Sequence, residues 1–460
     1  MTSLHAARRA VPYRYLLPAA LGLALVIALP AKADSVTDWN GIAGSPVVLP
    51  RFGGAQLQYR AMAIVQVAVH DALNTIQPRY ETYSNLPAAA SGASADAAVA
   101  AATRVAMLGL LTALPDSTAG RQAAIDHINN EYAARIAAIP EPDRAAGIAA
   151  GENAATACIM QRHVFDAVLG KLLAIDGAAA AHAPAYTLPA GLGVHQPTPN
   201  VVGPATNPLF TGWKNVALFS LNSASQFRSP TSPLFNISSQ FYADQYNEVK
   251  HHGDARVRGA FPNSEKSDIP RFWAGGGLEW NTTLRGIVAG RGLDRWQHAR
   301  LFALANVAVA DASVGNMESK YHYSFWRPIT AIRWSNDGNP ATQSDPNWMS
   351  FLPTPPYPDY PCGSTGVTGA VTQTLRRFFG TNAIGFTRTV AAGPVTLPAP
   401  LAALPSKMIT RKYYSLSIAE NEQARARVYS GIHFAEGCYA GSKSANQVAD
   451  WVYTHEFRPL

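Results

Sequence analysis

Long alanine-rich runs of helical period, each stopped by proline or glycine, leave this chain few ways to fold other than as packed helices. Ser94 to Leu114 is one such run, halted by Pro115. Ser117 caps the next, which reaches about Ile139 and meets Pro140 and Pro142. Asp143 to His163 reads as another, and Gln56 to Gln77, mostly apolar with Arg60, His70 and Asp71 spaced along it, reads as a buried helix. Alanine favours helix and the valine-rich alternation that marks strands is scarce, so the first half predicts an antiparallel helical array. Asp294 starts the longest helical pattern, running to about Trp326. A helix from Ser364 or Thr365 to Phe379 is closed by Gly380, and Ala419–Tyr429 and Glu436–Tyr453 follow. Gly177 to Ser232 holds no period and reads as a covering loop. Pro353 to Pro361 is extended, and Thr389 to Pro405 is a further Pro/Ala loop. The fold class expected is all-α, built of helical bundles with long Pro/Gly-rich loops. Four stretches are expected: 1–33 a secretory signal, 34–170 an N-terminal helical array, 171–290 an irregular covering region with connecting helices, and 291–460 a helical bundle forming one compact unit with 34–170.

The first stretch has the three parts of a signal peptide. Arg8, Arg9 and Arg14 form a basic region, Leu16 to Leu29 is a short apolar run, and Ala31-Lys32-Ala33 is a cleavage site. The apolar run is short of the ~20 residues a membrane span needs, and no later stretch reads as a span. The mature protein is therefore expected to be soluble, periplasmic or secreted, with no membrane attachment after cleavage. Cleavage removes four cations and no acids, which takes the net charge of +7 to +3, too mild to argue for nucleic acid. Hydrophobic residues at 48% and charged residues at 15% exclude a disordered chain. Cys158, Cys362 and Cys438 contain no CxxC pair, which argues against structural zinc. In an oxidising compartment a Cys362–Cys438 disulfide is expected, against the alternative of three buried free thiols.

Three short segments in the second half carry the chemistry. Lys320 and Arg327, seven apart, would project from one helix face two turns apart, with Tyr321, Tyr323, Phe325 and Trp326 around them. Cations among apolar side chains need an anion. Pro361-Cys362-Gly363-Ser364 precedes a helix whose N-terminus offers free N–H groups and the positive dipole end. Gly363 lets backbone approach closely, and Ser364 also suits a plain N-cap. A cysteine-phosphatase loop beginning at Cys362 fails because Thr368 stands where an arginine is required. Arg427 lies near a helix end and His433 just past the break at Gly431; one offers bidentate oxyanion contacts, the other a nucleophile or a metal ligand. The Gly275-Gly276-Gly277 run lacks the strand-turn-helix context of a nucleotide loop and reads as a turn.

Taken in order, these segments resemble the superfamily that joins vanadium-dependent haloperoxidases to type-2 phosphatidic acid phosphatases and bacterial acid phosphatases. Its pattern is K-x6-R-P, then P-S-G-H, then S-R-x5-H. Lys320, Arg327 and Pro328 match the first part; Pro361 and Gly363 match the second, with Cys362 for Ser and Ser364 for His; Arg427 and His433 match the third, with Ala426 for Ser. Thr354 to Pro361, Gly431-Ile432-His433-Phe434, Val67 to Asn74 with Pro78-Arg79-Tyr80, and the tryptophans at 273 and 280 resemble the haloperoxidase branch. The phosphatase branch tends to carry Asp four residues past the last His, where this chain has Gly437.

The resemblance implies vanadate as cofactor, with phosphate able to occupy the same site. His433 would be its axial metal ligand. Lys320, Arg327 and Arg427 would neutralise its oxygens, helped by the Gly363 N–H in a turn that includes Cys362 and Ser364. Lys320 would polarise bound peroxide, and halide would leave as hypohalite. In the phosphatase branch His433 would attack a phosphoester instead. Both chemistries place a proton-transferring His at position 364, so Ser364 implies weakened turnover, with bromide or iodide favoured over chloride. The resemblance leaves three readings: haloperoxidase, phosphomonoesterase, or an oxyanion-binding protein without turnover. A homodimer is a further expectation from it.

Overall fold

The computed structural model describes residues 34–460 except 167, 169–170, 175–186, 188–190, 200–204, 207 and 276–278. The signal stretch, parts of Gly177–Ser232, and Gly276 and Gly277 lie outside the described residues. Fourteen α-helices dominate the described chain, with three two-stranded antiparallel ribbons beside them. The N-terminal half holds α1 (Ser35–Ala43), α2 (Ala55–Ile76), α3 (Ala95–Ala113), α4 (Arg121–Ile136) and α5 (Asp143–Met160). Then come α6 (Gln240–His252), α7 (Ala255–Ala260), α8 (Glu265–Phe272) and α9 (Trp280–Val288). The second half holds α10 (Arg295–Tyr323), α11 (Pro328–Arg333), α12 (Gly363–Phe379), α13 (Leu416–Tyr429) and α14 (Ala435–His455).

Small residues set how closely the first helices pack. A Cβ added at Gly147 or Gly151 would lie 2.3 Å from the carbonyls of Ser94 or Ala98, so α5 meets α3 backbone to backbone. Alanine and glycine stripes make that approach possible, and α2, α3 and α5 share one apolar core with α10. The helix α3 is long and apolar enough to cross a membrane by length and composition, which corrects the reading that no later stretch qualifies. Most of it is buried inside the molecule, as a core helix is.

The expected helix boundaries need several corrections. Ser117 is not a cap: Gly120, at φ 74, precedes α4. His163 begins β1 (His163–Asp166), which pairs with β2 (Lys171–Ala174), so α5 stops at Met160. Thr389 lies in β5 (Phe386–Ala392), paired with β6 (Lys407–Tyr413), where a loop was expected. In β5 alternate side chains are buried, a short period-2 signal that its small residues disguise. The helix expected to reach Trp326 ends at Tyr323, because Ser324 turns left-handed at φ 47.

Two buried acids fasten irregular segments to the helices, one in the middle region and one in the α2–α3 connection. Asp311 of α10 accepts the backbone N–H groups of Phe219, Ser220 and Leu221 at 2.8–3.0 Å. Asp71 of α2 accepts those of Tyr83 and Ser84, while its neighbour His70 contacts Asp71 and Asn74. Both carboxylates act as loop anchors, since a buried acid is stabilised by several N–H donors at once.

Candidate active site

The three chemistry-bearing segments meet where α10, α12, α13 and α14 converge. Lys320 is fully buried on the last turn of α10, and its Nζ donates to the carbonyls of Pro358 at 2.8 Å and Asp359 at 3.0 Å. Arg327 is not on the same helix, which corrects the two-turn argument. It is the extended N-cap of α11, yet it is equally buried and faces the same ring: Lys320 Nζ and Arg327 Cζ each lie 5.2 Å from the Tyr357 centroid. Arg327 Nε donates to Tyr357 O, and Nη1 donates to Ile432 O and to His433 Nε2 at 2.8 Å. Arg427 comes from the last turn of α13 and donates to Trp273 O at 2.9 Å.

Those contacts fix the histidine tautomer. Guanidinium only donates, so His433 Nε2 accepts and the ring proton of the neutral form sits on Nδ1. Nδ1 lies 2.9 Å from Asp359 Oδ1, although neither atom makes a hydrogen bond. Asp359 was missed by sequence reasoning. A charged residue inside the Pro/aromatic stretch Pro355 to Pro361 was the available signal. It is fully buried, 4.0 Å from Arg327, and a Cβ on Gly437 would come within 3.2 Å of its carboxylate. The carboxylate thus fills space that a side chain at 437 would need.

Burial first, then the charge of Arg327, pushes the Lys320 ammonium down to about 7. His195 was also overlooked. It is fully buried, with neither ring nitrogen hydrogen-bonded, and its amide donates to Ser324 O at 2.8 Å. Desolvation, then Arg327 and Lys320, lower its pKa to about 3, so it is neutral and no proton donor at neutral pH. His322 contacts Arg228 at 3.4 Å on the exposed side of α10 and does not replace the missing acid either.

Cys362, not Ser364, is the N-cap of α12, and it makes no side-chain capping bond. Ser364 therefore sits inside the first turn, with its Oγ 3.3 Å from Cys362 Sγ. Cys362 and Cys438 come together as expected, but both are free buried thiols, which corrects the disulfide. The Cys362 thiol is held well below its usual range. Burial opposes this, and a contact from Cys438 together with the charges of His433 and Arg427 outweighs it.

A cavity of about 210 Å³ opens on this convergence, lined by Arg427, His433, Gly363, Ser364, Gln56, Tyr59, Asn316 and Tyr357. Lys320 and Arg327 stand behind that lining. Arg327 Nη2, Arg427 Nε and Asn316 Oδ1 are buried without a hydrogen-bond partner. Unpaired guanidinium N–H groups beside a helix N-terminus are what a tetrahedral oxyanion satisfies.

Residues 300–460 match the family model for the second helical-bundle domain of vanadium chloroperoxidase. Over 91 residues the chain is 38% identical to the vanadium chloroperoxidase of Curvularia inaequalis, a match spanning 18% of this chain and 14% of that relative's length. A bacterial vanadium-dependent iodoperoxidase superposes with a TM-score of 0.67 at 21% identity, covering 92% of this chain and 96% of its own. The holo form of a bacterial vanadium-dependent chloroperoxidase gives 0.66 at 16% identity, covering 93% and 98%. The C-terminal part of the chain is thus similar to the second bundle domain of vanadium chloroperoxidase, and the fold is that of the bacterial vanadium haloperoxidases. The family-model match covers the C-terminal bundle, which carries Lys320, Arg327, Tyr357, Asp359, the Cys362–Ser364 turn, Arg427 and His433, while Gln56, Tyr59, His195 and Trp273 come from outside it; the structural matches cover more than nine tenths of the chain. The buried unpaired donors of Arg327 and Arg427 flank His433, a donor set that fits a tetrahedral oxyanion such as vanadate.

Proposed function

We propose that this chain holds vanadate on His433 and oxidises halide with hydrogen peroxide, at a rate limited by Ser364. The observation that carries the proposal is the convergence of His433 with the unpaired guanidinium N–H groups of Arg327 and Arg427 and the N-terminus of α12 beside a small cavity; binding vanadate on Nε2 requires the Arg327 Nη1 hydrogen bond to pass from that nitrogen to the oxyanion. When bound, vanadate supplies a Lewis-acidic centre that activates peroxide. Arg327 and Arg427 neutralise oxyanion charge, each charge-assisted bond contributing roughly 1.5–3 kcal/mol. Lys320 adds a cation whose proton is exchangeable near neutral pH. Ser364 lines the cavity but has no proton to give near neutral pH, and losing a general acid costs about 10²–10⁴-fold. Iodide and bromide, more easily oxidised than chloride, are the favoured substrates. The proposal includes export with cleavage before Asp34, which N-terminal sequencing of secreted protein tests.

The deciding experiment is bromination of a phenolic dye by purified protein with bromide and hydrogen peroxide, with and without vanadate, beside His433→Ala. Vanadate-dependent activity absent from His433→Ala is expected. One observation favours a second reading: Asp359 against Nδ1 suits His433 as a nucleophile toward a phosphoester. Hydrolysis of a phosphomonoester without vanadate, and no halide oxidation with it, would replace the first reading by the second. Binding of phosphate or vanadate with neither turnover would identify an oxyanion-binding protein.

A further inference from the structure

Two thiols lie behind the Ser364 and His433 side of the cavity wall, with no part in the reading above. Cys362 and Cys438 are free, fully buried, and form a small cluster with Ala424. Their sulfur atoms and a ring nitrogen of His433 all lie within 4.8 Å of one another. The backbone holds them there, because the Cys362 N–H donates at 2.8 Å to the Gly437 carbonyl, which belongs to the peptide leading into Cys438. To form a disulfide the two sulfur atoms must close from within 4.8 Å to the roughly 2.05 Å of an S–S bond. On its other side the Cys362 sulfur is 3.3 Å from Ser364 Oγ, and Ser364 and His433 both line the cavity. A small molecule that reaches His433 is therefore one side chain away from Cys362.

Two thiols and an imidazole are also a ligand set for a soft metal ion. Here Arg327 Nη1 already donates to His433 Nε2, and Lys320 and Arg427 add two further positive charges around the cluster. Like charges at this range in a buried site oppose a cation. The cysteines' own reactivity is the better use of the arrangement.

We propose that Cys362 and Cys438 form a hydroperoxide-reducing dithiol directly behind the Ser364 and His433 wall of this cavity. The Cys362 sulfur attacks one oxygen of the hydroperoxide and the O–O bond breaks. Cys362 becomes a sulfenic acid, and the other oxygen leaves as water, or as an alcohol from an organic hydroperoxide, taking the thiol proton. The Cys438 sulfur then attacks the sulfenic sulfur; the S–S bond forms and the sulfenic oxygen leaves as water. Two electrons pass from the thiols to the peroxide, and a small dithiol reductant restores the pair. Nothing in this sequence uses vanadate, so it stands or falls separately from the halide chemistry. Cys158 is the internal contrast: its sulfur contacts the Ile64 carbonyl at 3.6 Å in the N-terminal core, and it does not belong to the cluster that Cys362 and Cys438 form with His433.

The test treats reduced, purified protein with stoichiometric hydrogen peroxide and maps its peptides by mass spectrometry without reduction. A Cys362–Cys438 linked peptide is expected, with two of the three thiols lost and Cys158 still free. In Cys438→Ser, dimedone should trap a sulfenic acid on Cys362. With dithiothreitol present, peroxide consumption should fall about tenfold or more in Cys362→Ser. Intact thiols after peroxide, oxidation of Cys158 at the same rate, or stoichiometric zinc uptake that blocks thiol titration would each overturn the proposal. Should either variant fail to fold, the peptide map of the unaltered chain decides, since the linked peptide either forms or does not.

Discussion

The cavity has two walls, and they differ in how they can change. One is charged: Arg427 and His433 line it, with Arg327, Lys320 and Asp359 fully buried behind. Its cations are held by main-chain carbonyls of Tyr357, Pro358, Asp359, Ile432 and Trp273, so none can move away from its neighbours. The other wall is the turn Cys362-Gly363-Ser364, where Gly363 and Ser364 line the cavity with a helix N-terminus and a hydroxyl but no charge, and the Cys362 thiol lies behind them. A buried cation cannot be lost without leaving a partner unpaired, whereas a residue in the first turn of a helix can be exchanged with little effect on the fold. The charged wall therefore sets whether an oxyanion binds. The turn sets what happens to it.

Breaking the charged wall should have the largest effect. Arg327→Met removes the guanidinium that stands 4.0 Å from the buried Asp359 carboxylate, and a loss of about 3–5 kcal/mol in a urea melt is expected. It should also abolish measurable sulfate binding in calorimetry. Adding Asp359→Asn should recover part of the stability and none of the binding. Equal stability in Arg327→Met and the unaltered chain would show that the charged wall is not held as described.

Changing the turn should leave binding in place and move the rate. Ser364→His restores a proton donor at the cavity, so vanadate-dependent bromide oxidation should rise by about 10²–10⁴-fold, with sulfate affinity within a few-fold of the original. No rise at any pH would mean that a missing acid does not limit this protein.

How far the sequence could be read follows the same division. The helices α2, α3, α12, α13 and α14 were legible because each has a long period and a clear stop, such as Gly380 in the left-handed conformation after α12. Lys320, Arg327, Arg427 and His433 were legible because charge within apolar or glycine-marked sequence needs a reason. The route by which they meet was not. Ser324 breaks α10 in a left-handed turn that nothing in Tyr-Ser-Phe announces, and so Arg327 arrives by a different element than its spacing suggested. Asp359 and His195 escaped because their importance lies in contacts with residues far along the chain, which no local pattern encodes. The β5–β6 ribbon escaped because its small and polar residues weaken the alternation.

Packing behind the turn offers a smaller test. A Cβ at Gly441 would lie 2.4 Å from the Cys362 carbonyl, and one at Gly151 would lie 2.3 Å from the Ala98 carbonyl. Alanine at either position should cost about 1–3 kcal/mol by overpacking, read as a lowered Tm. Only Gly441→Ala should also weaken sulfate binding, because it displaces the turn that forms one wall. A similar loss of binding in Gly151→Ala would mean that the two helix contacts are coupled through the core.

The smallest effect expected is a pH dependence, and it assigns one proton to the charged wall. Lys320 is pushed down to about 7, so near neutral pH part of the population is uncharged. A bound dianion favours the ammonium, so binding takes up a proton and affinity falls as pH rises above about 7. The limit is about tenfold per pH unit for a single group. Stability runs the other way. Between about 7 and the unfolded value near 10.4, the folded chain binds fewer protons than the unfolded one, so this lysine makes stability rise with pH across that window. Sulfate is the right probe, since its own charge is constant there. Calorimetric titration should show weaker binding at about pH 9 than at about pH 6. Lys320→Met should bind sulfate more weakly throughout and lose that slope. If the slope survives in Lys320→Met, the proton belongs to another group, and His433 on the same wall is the next to replace.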